Sequence, residues 1–138
     1  MTAEEIMTKT PVAVVDEGAT LDQALRLMAE QEIRHLPVLR GDEVVGMLSD
    51  RDLRSLGLSM AEDTASLERL AARLRMRVRD LMTGNVVSVG PETDVTEIID
   101  LMLDEKVSAV PVIDTDESEL KGIVSYVDVL RAVQDELH

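Results

Sequence analysis

The chain is written twice. Ile6-Met7-Thr8 returns as Leu81-Met82-Thr83. Leu21, Ala24, Leu25 and Met28 return 74 residues later as Val95, Ile98, Ile99 and Met102. Leu36-Pro37-Val38-Leu39 returns as Val110-Pro111-Val112-Ile113 at the same offset. The run from Gly46 to Leu53 returns as Gly122 to Val129, now 76 residues later. A duplicated unit constrains the fold more than composition does, because both copies must adopt one structure. The slip of two residues falls in the polar stretch Asp114–Glu119, where a hairpin loop absorbs it.

Each copy reads in the same order. A short apolar segment (Val12–Val15; Val86–Val89) precedes a turn, and Thr20 or Thr93 caps a helix with apolar residues at i, i+3, i+4 and i+7. A Pro-Val strand follows, then a polar turn and a second strand (Val44–Leu48; Leu120–Val124) that runs straight into another helix. The order β-α-β-β-α, twice, predicts an α+β fold of small sheets flanked by helices. Residues 1–56 form the first repeat, 57–78 a linker and 79–138 the second repeat. In the linker, Leu67, Leu70, Ala71, Leu74 and Val78 stand at helical spacing and predict an amphipathic helix over Thr64–Arg79. A single repeat buries too little surface to stand alone, so the two are expected to pack as one pseudo-two-fold domain.

Composition narrows the function. A net charge of -14 disfavours sequence-independent binding to nucleic acid or anionic lipid. With no Cys and only His35 and His138, thiolate chemistry and His-rich metal sites are excluded. No apolar run is long enough to span a bilayer and no signal-peptide pattern opens the chain, so a cytoplasmic protein is expected. Trp and Phe are absent and Tyr126 is the one aromatic residue, which demands an aliphatic core with Met as gap-filler. Gly41 and Gly46 have the spacing of a phosphate-binding Walker loop, but Met47-Leu48 stand where Lys and Ser/Thr are required. No nucleophile–base pair can be assembled, and no enzymatic activity is expected.

Three elements recur in order in both halves: an opening Met-Thr, an x-h-P-V strand, and a G-h-h-S-x-x-D turn. Here the chain resembles the cystathionine-β-synthase (CBS) domain pair, over nearly its whole length outside the linker. The resemblance implies a regulatory homodimer that binds adenosine-containing ligands (AMP, ADP, ATP or S-adenosylmethionine) in clefts between the repeats. It also implies adenine slots at Thr10, Pro11 and Val12 with Leu36 and Pro37, and at Asn85, Val86 and Val87 with Val110 and Pro111.

The Ser-x-x-Asp turns carry the chemistry. Ser49 and Ser125 stand where a strand gives way to a helix; Asp52 and Asp128 follow one turn later. One reading is a capping box that needs no ligand. Against it, both copies use Asp where the box prefers Glu or Gln, and both carry Gly at the same preceding position. The other reading is that each Asp takes the 2′- and 3′-hydroxyls of a ribose. The roles are compatible for Ser.

The halves differ around the turn. Arg34 and Arg51 in the first have Ser108 and Val127 as their counterparts in the second, so the first brings two candidate phosphate ligands. Either an arginine serves both clefts, or the second takes a weakly charged ligand or none; both can also be plain surface arginines. Tyr126 either stacks on a base or lies at the surface, and His35 is either structural or a ligand contact. Arg69, Arg73, Arg75, Arg77 and Arg79 form a basic stripe, expected to be solvated or paired with acidic residues near Glu62-Asp63. Asp114, Asp116, Glu117 and Glu119 read as a charged hairpin tip.

The expectation is an energy-sensing regulatory module, either free-standing or cut from a larger protein, that changes shape on binding and acts on an enzyme or transporter. The alternative is an interaction adaptor of the same fold with non-functional clefts. The helices after each Ser-x-x-Asp turn are the expected dimer contact.

Overall fold

Residues 1–9, 13–55, 64–84, 86–116 and 118–137 are described by the computed structural model. The helices are α1 (Ala3–Ile6), α2 (Leu21–Gln31), α3 (Asp50–Ser55), α4 (Thr64–Leu74), α5 (Val95–Glu105) and α6 (Tyr126–Leu137). The strands are β1 (Thr8–Lys9), β2 (Val15–Asp16), β3 (His35–Arg40), β4 (Glu43–Ser49), β5 (Ala109–Asp114) and β6 (Glu119–Ser125). They form two three-stranded sheets, ordered β2-β3-β4 and β1-β6-β5. The fold is α+β, as the repeat predicts.

The slip between repeats sits in the second hairpin. The first turns between Arg40 and Glu43, with Gly41 left-handed at φ 62; the second turns between Asp114 and Glu119. Gly41 and Gly46 therefore belong to a hairpin, not a phosphate loop.

One cap departs from expectation. Thr20 caps α2, accepting from the Gln23 N–H at 3.3 Å while Gln23 Oε1 accepts from the Thr20 N–H at 2.9 Å. The cap of α5 is not Thr93 but Asp94, whose Oδ2 accepts from the Thr96 N–H at 3.0 Å. Thr93 turns back to accept from the Gly90 N–H at 3.0 Å. The reason is register: α5 starts at Val95, the counterpart of Leu21, so the residue before it takes the cap.

Two compact units emerge, and their edges cut across the sequence repeats: Ala13–Val86, and Met1–Val12 together with Val87–His138. The opening segment of the first copy completes the body of the second. Strand β1 pairs with β6, Thr8 opposite Ile123 and Lys9 opposite Gly122. The Ala3 N–H donates to Thr93 O and the Val95 N–H to Met1 O, both at 2.8 Å. The mirror exchange occurs in the other unit, where the Val78 N–H donates to Ala19 O at 2.8 Å and the Leu21 N–H to Met76 O at 2.9 Å.

Each unit has its own aliphatic core. Val15, Leu21, Ala24, Met28, Leu36, Val38, Leu48, Leu53 and Val78 fill one; Ala3, Val89, Ile98, Val110, Val112, Val124 and Val129 fill the other. Ala3 and Val78 are repeat counterparts, each 0% exposed in the body built mainly from the other copy. Helix α4 contacts α2 in the first unit, within the expected amphipathic stretch but ending at Leu74. The chain then passes through a 3-10 turn at Val78–Asp80. No described helix is long and apolar enough to cross a membrane.

Candidate functional site

Strand β4 ends on Ser49, and α3 starts at the next residue. There the Asp52 N–H donates to Ser49 Oγ at 3.1 Å and the Ser49 N–H donates to Asp52 Oδ2, also at 3.1 Å. The second turn repeats this: the Ser125 N–H and hydroxyl donate to Asp128 Oδ2 at 2.8 and 3.1 Å, and the Asp128 N–H donates to Ser125 Oγ at 3.3 Å. The choice of Asp over Glu therefore does not argue against a capping box, because the shorter side chain closes it in both halves. The box satisfies helix-end amides that have no partner within the helix. In both boxes the accepting carboxylate oxygen is Oδ2.

The x-h-P strand is held against the same turn. His35, Leu36 and Pro37 stand in register with Ser49, Leu48 and Met47, and the Asp50 N–H donates to Arg34 O at 2.9 Å. In the other unit Ala109, Val110 and Pro111 stand opposite Ser125, Val124 and Ile123, and the Tyr126 N–H donates to Ser108 O at 2.9 Å. The fold thus gathers Arg34, His35, Leu36, Pro37, Ser49, Arg51 and Asp52 at one strand–helix junction. It gathers Val110, Pro111, Ser125, Tyr126 and Asp128 at the other. Leu36, Pro37, Val110 and Pro111 have fully buried side chains in the cores. Val87 packs on the second core, and Val86, half-buried, ends the first unit. Thr10, Pro11, Val12 and Asn85 lie outside the described residues.

Charge distinguishes the two junctions. Arg34 and Arg51 are exposed. His35 is half-buried; burial, helped by the Arg34 charge, holds its pKa below the ordinary value, while Asp50 and Asp52 pull it upward. At the second junction the equivalent places are Ser108, Ala109 and Val127, and Tyr126 is 43% exposed.

The glycines before each turn have a packing role that sequence reading left open between backbone and ligand. A Cβ on Gly46 would sit 3.0 Å from both Met82 Cγ and Thr83 O. One on Gly122 would meet Thr8 O and lie 2.7 Å from Met7 Sδ. The recurring Met-Thr is therefore the segment that each glycine admits, and this explains why the two motifs recur together.

Elsewhere, the Arg77 guanidinium donates to Gly18 O at 2.8 Å, which ties one arginine of the basic stripe to the backbone before α2. Glu62 and Asp63 lie outside the described residues, as does Glu117 of the hairpin tip. Among the described residues no group of three or more potential metal ligands forms. A cleft of about 410 Å³ lies along α5 in the second unit, lined by Ser88, Val89, Gly90, Thr93, Glu97, Asp100, Leu101 and Asp104. It contains none of the residues expected from sequence, and its three carboxylates repel phosphate.

Comparison with known proteins follows the same lines. Homoserine O-acetyltransferase of Methanohalobium evestigatum is 31% identical over 125 residues, which cover 90% of this chain but 22% of that protein. The chain thus spans about a fifth of such relatives. Hypoxic response protein 1 of Mycobacterium tuberculosis is 35% identical over 133 residues, covering 94% of this chain and 83% of that one. The crystal structure of CBSX2 of Arabidopsis thaliana in complex with AMP superposes with a TM-score of 0.79 at 29% identity, over 99% of this chain and 98% of that one. The CBS domain model matches twice, at residues 3–59 and 78–135. The chain belongs to the CBS domain family, as a pair of tandem CBS repeats.

Proposed function

We propose that this protein is a regulatory module that binds adenine nucleotides and responds to cellular energy state. The observation that carries the proposal is the duplicated junction in which a strand-end serine and a carboxylate are held together beside an x-h-P strand. CBSX2, 29% identical to this chain over nearly its full length, has been solved with AMP. In the bound state Asp52 and Asp128 accept from the ribose hydroxyls, and the buried prolines fix the adjoining backbone for the base. Leu36 and Pro37 serve the base at the first junction, and Val87, Val110 and Pro111 at the second. Arg34 and Arg51 give the first junction its affinity for phosphate, so it takes AMP, ADP or ATP. The second, without them, takes a weakly charged ligand such as S-adenosylmethionine or stays empty. Binding is coupled to a partner, an enzyme or transporter, only to the extent that the ligand prefers one conformation. No turnover of the nucleotide is part of this reading, and the protein works in the cytoplasm.

We also propose a homodimer. On α6, Tyr126, Leu130, Val133 and Leu137 fall at spacings of four, three and four residues and are 43, 62, 36 and 82% exposed. That is an apolar seam of the kind two helices cover. Because each copy carries a charge of -14, the contact must be apolar and local.

The test is calorimetric titration of AMP, ADP, ATP, S-adenosylmethionine and adenosine into the chain. Saturable binding of a member of this set supports the proposal. No heat and no thermal stabilisation from any of them leaves the adaptor reading in its place.

A further inference from the structure

The two junctions differ most sharply at one half-buried titratable group. His35 starts β3, in register with Ser49, and its neighbour Arg34 accepts from the Asp50 N–H through its carbonyl at 2.9 Å. This places His35, half-buried, at the strand–helix junction, where the charges of Arg34 on its own segment and of Asp50 and Asp52 on α3 act on its imidazole. On β4, Ser49 stands directly opposite it. In the second repeat Ala109 holds the same position opposite Ser125.

We propose that His35 makes nucleotide binding by the first repeat proton-coupled: the imidazole takes up one proton from solvent when a phosphate arrives, and the second repeat has no such group. This rests on the reading of the first junction as a phosphate-bearing nucleotide site. Burial and the Arg34 charge disfavour the His35 imidazolium in the empty protein. A phosphate adds up to two negative charges close by, which favours the imidazolium. Linkage then requires the affinity to rise as pH falls, by less than tenfold per pH unit for one proton. The protein would bind AMP more tightly in acid, by about two- to fivefold between pH 7.5 and 6.0.

Because His35 and His138 are the only histidines, NMR titration of their ring protons resolves both, with terminal His138 as an internal reference. The titration is run on the whole chain alone, with saturating AMP, and with adenosine, which lacks the phosphate. The expected result is a His35 midpoint raised by AMP and unmoved by adenosine, with His138 unchanged. Calorimetry of AMP in two buffers of different ionisation heat should show proton uptake that His35→Gln removes, beyond whatever the nucleotide's own phosphate contributes. AMP binding with an unmoved His35 midpoint overturns the proton coupling and leaves the nucleotide site standing. An equal shift from adenosine overturns it too, since phosphate is then not the cause. Absence of binding by AMP and adenosine alike overturns both. Because the NMR arm uses unaltered protein, a folding defect in the variant does not remove the test.

Discussion

At Asp52 and Asp128 one carboxylate is asked to do two things, and substitution can separate them. Asp52→Asn keeps an oxygen to accept from the Ser49 N–H but loses the charge that strengthens hydrogen bonds from ribose hydroxyls. It should fold nearly as stably as the parent and bind AMP more weakly. Asp52→Ala loses both. It should cost about 1 kcal/mol as a broken cap and about ten- to hundredfold in affinity, from roughly 1.5–3 kcal/mol of charge-assisted bonding. Urea melts and calorimetry on the two variants check this; unchanged AMP affinity in the Asn variants of both aspartates would show that these groups serve the fold alone. His35 gives a second prediction, for the unliganded protein. Its folded pKa lies below the ordinary 6.5, so on acidification the unfolded chain takes up the proton first. Its contribution to stability is whole above pH 6.5 and is lost as pH falls through the lowered folded value. His35→Gln should therefore flatten the stability profile just below pH 6.5 in urea melts at fixed salt.

The elements were legible wherever their cause is local. Periodicity placed α2, α5 and the hairpins, and the polar run at Asp114–Glu119 located the two extra residues. The cap of α5 was misplaced by one residue because Thr93 and Asp94 are both good caps and only the start of the helix, set by Val95 packing, chooses between them. Gly46 and Gly122 could be seen as close approaches, but what approaches them could not, since Met82 and Met7 are far away in sequence. Substituting alanine tests this packing. Gly122→Ala should destabilise more than Gly46→Ala, by about 1–3 kcal/mol against a smaller loss. The nearest obstacle at Gly122 is the carbonyl of Thr8, fixed by its pairing with Ile123, whereas at Gly46 it is the flexible Met82 side chain, with the Thr83 carbonyl at 3.0 Å. Equal midpoints in urea for the two variants would contradict this order.

For the whole molecule, nucleotide binding and self-association are the measurable consequences. AMP at about 100 times its dissociation constant should stabilise the fold by roughly 2.7 kcal/mol, a rise of several degrees in midpoint for a chain of this size. Scanning calorimetry at several AMP concentrations reads it, and a midpoint independent of concentration would count against binding. Leu130→Glu, which puts a charge in the middle of the exposed α6 seam, should shift sizing in solution from dimer to monomer with little effect on the fold. What the sequence alone determined was the duplicated α+β pattern, the aliphatic core positions and the two Ser-x-x-Asp junctions, because each follows from spacings within a few turns or one hairpin. It could not determine that residues 1–12 finish the unit built from 87–138, or that Val78 enters the core around Leu36. A strand of two residues such as β1 carries almost no pattern of its own, and the partner of β1 lies more than a hundred residues away. Only the folded backbone, seeking hydrogen-bond partners for its sheet edges and apolar cover for each half-core, decides where such segments go.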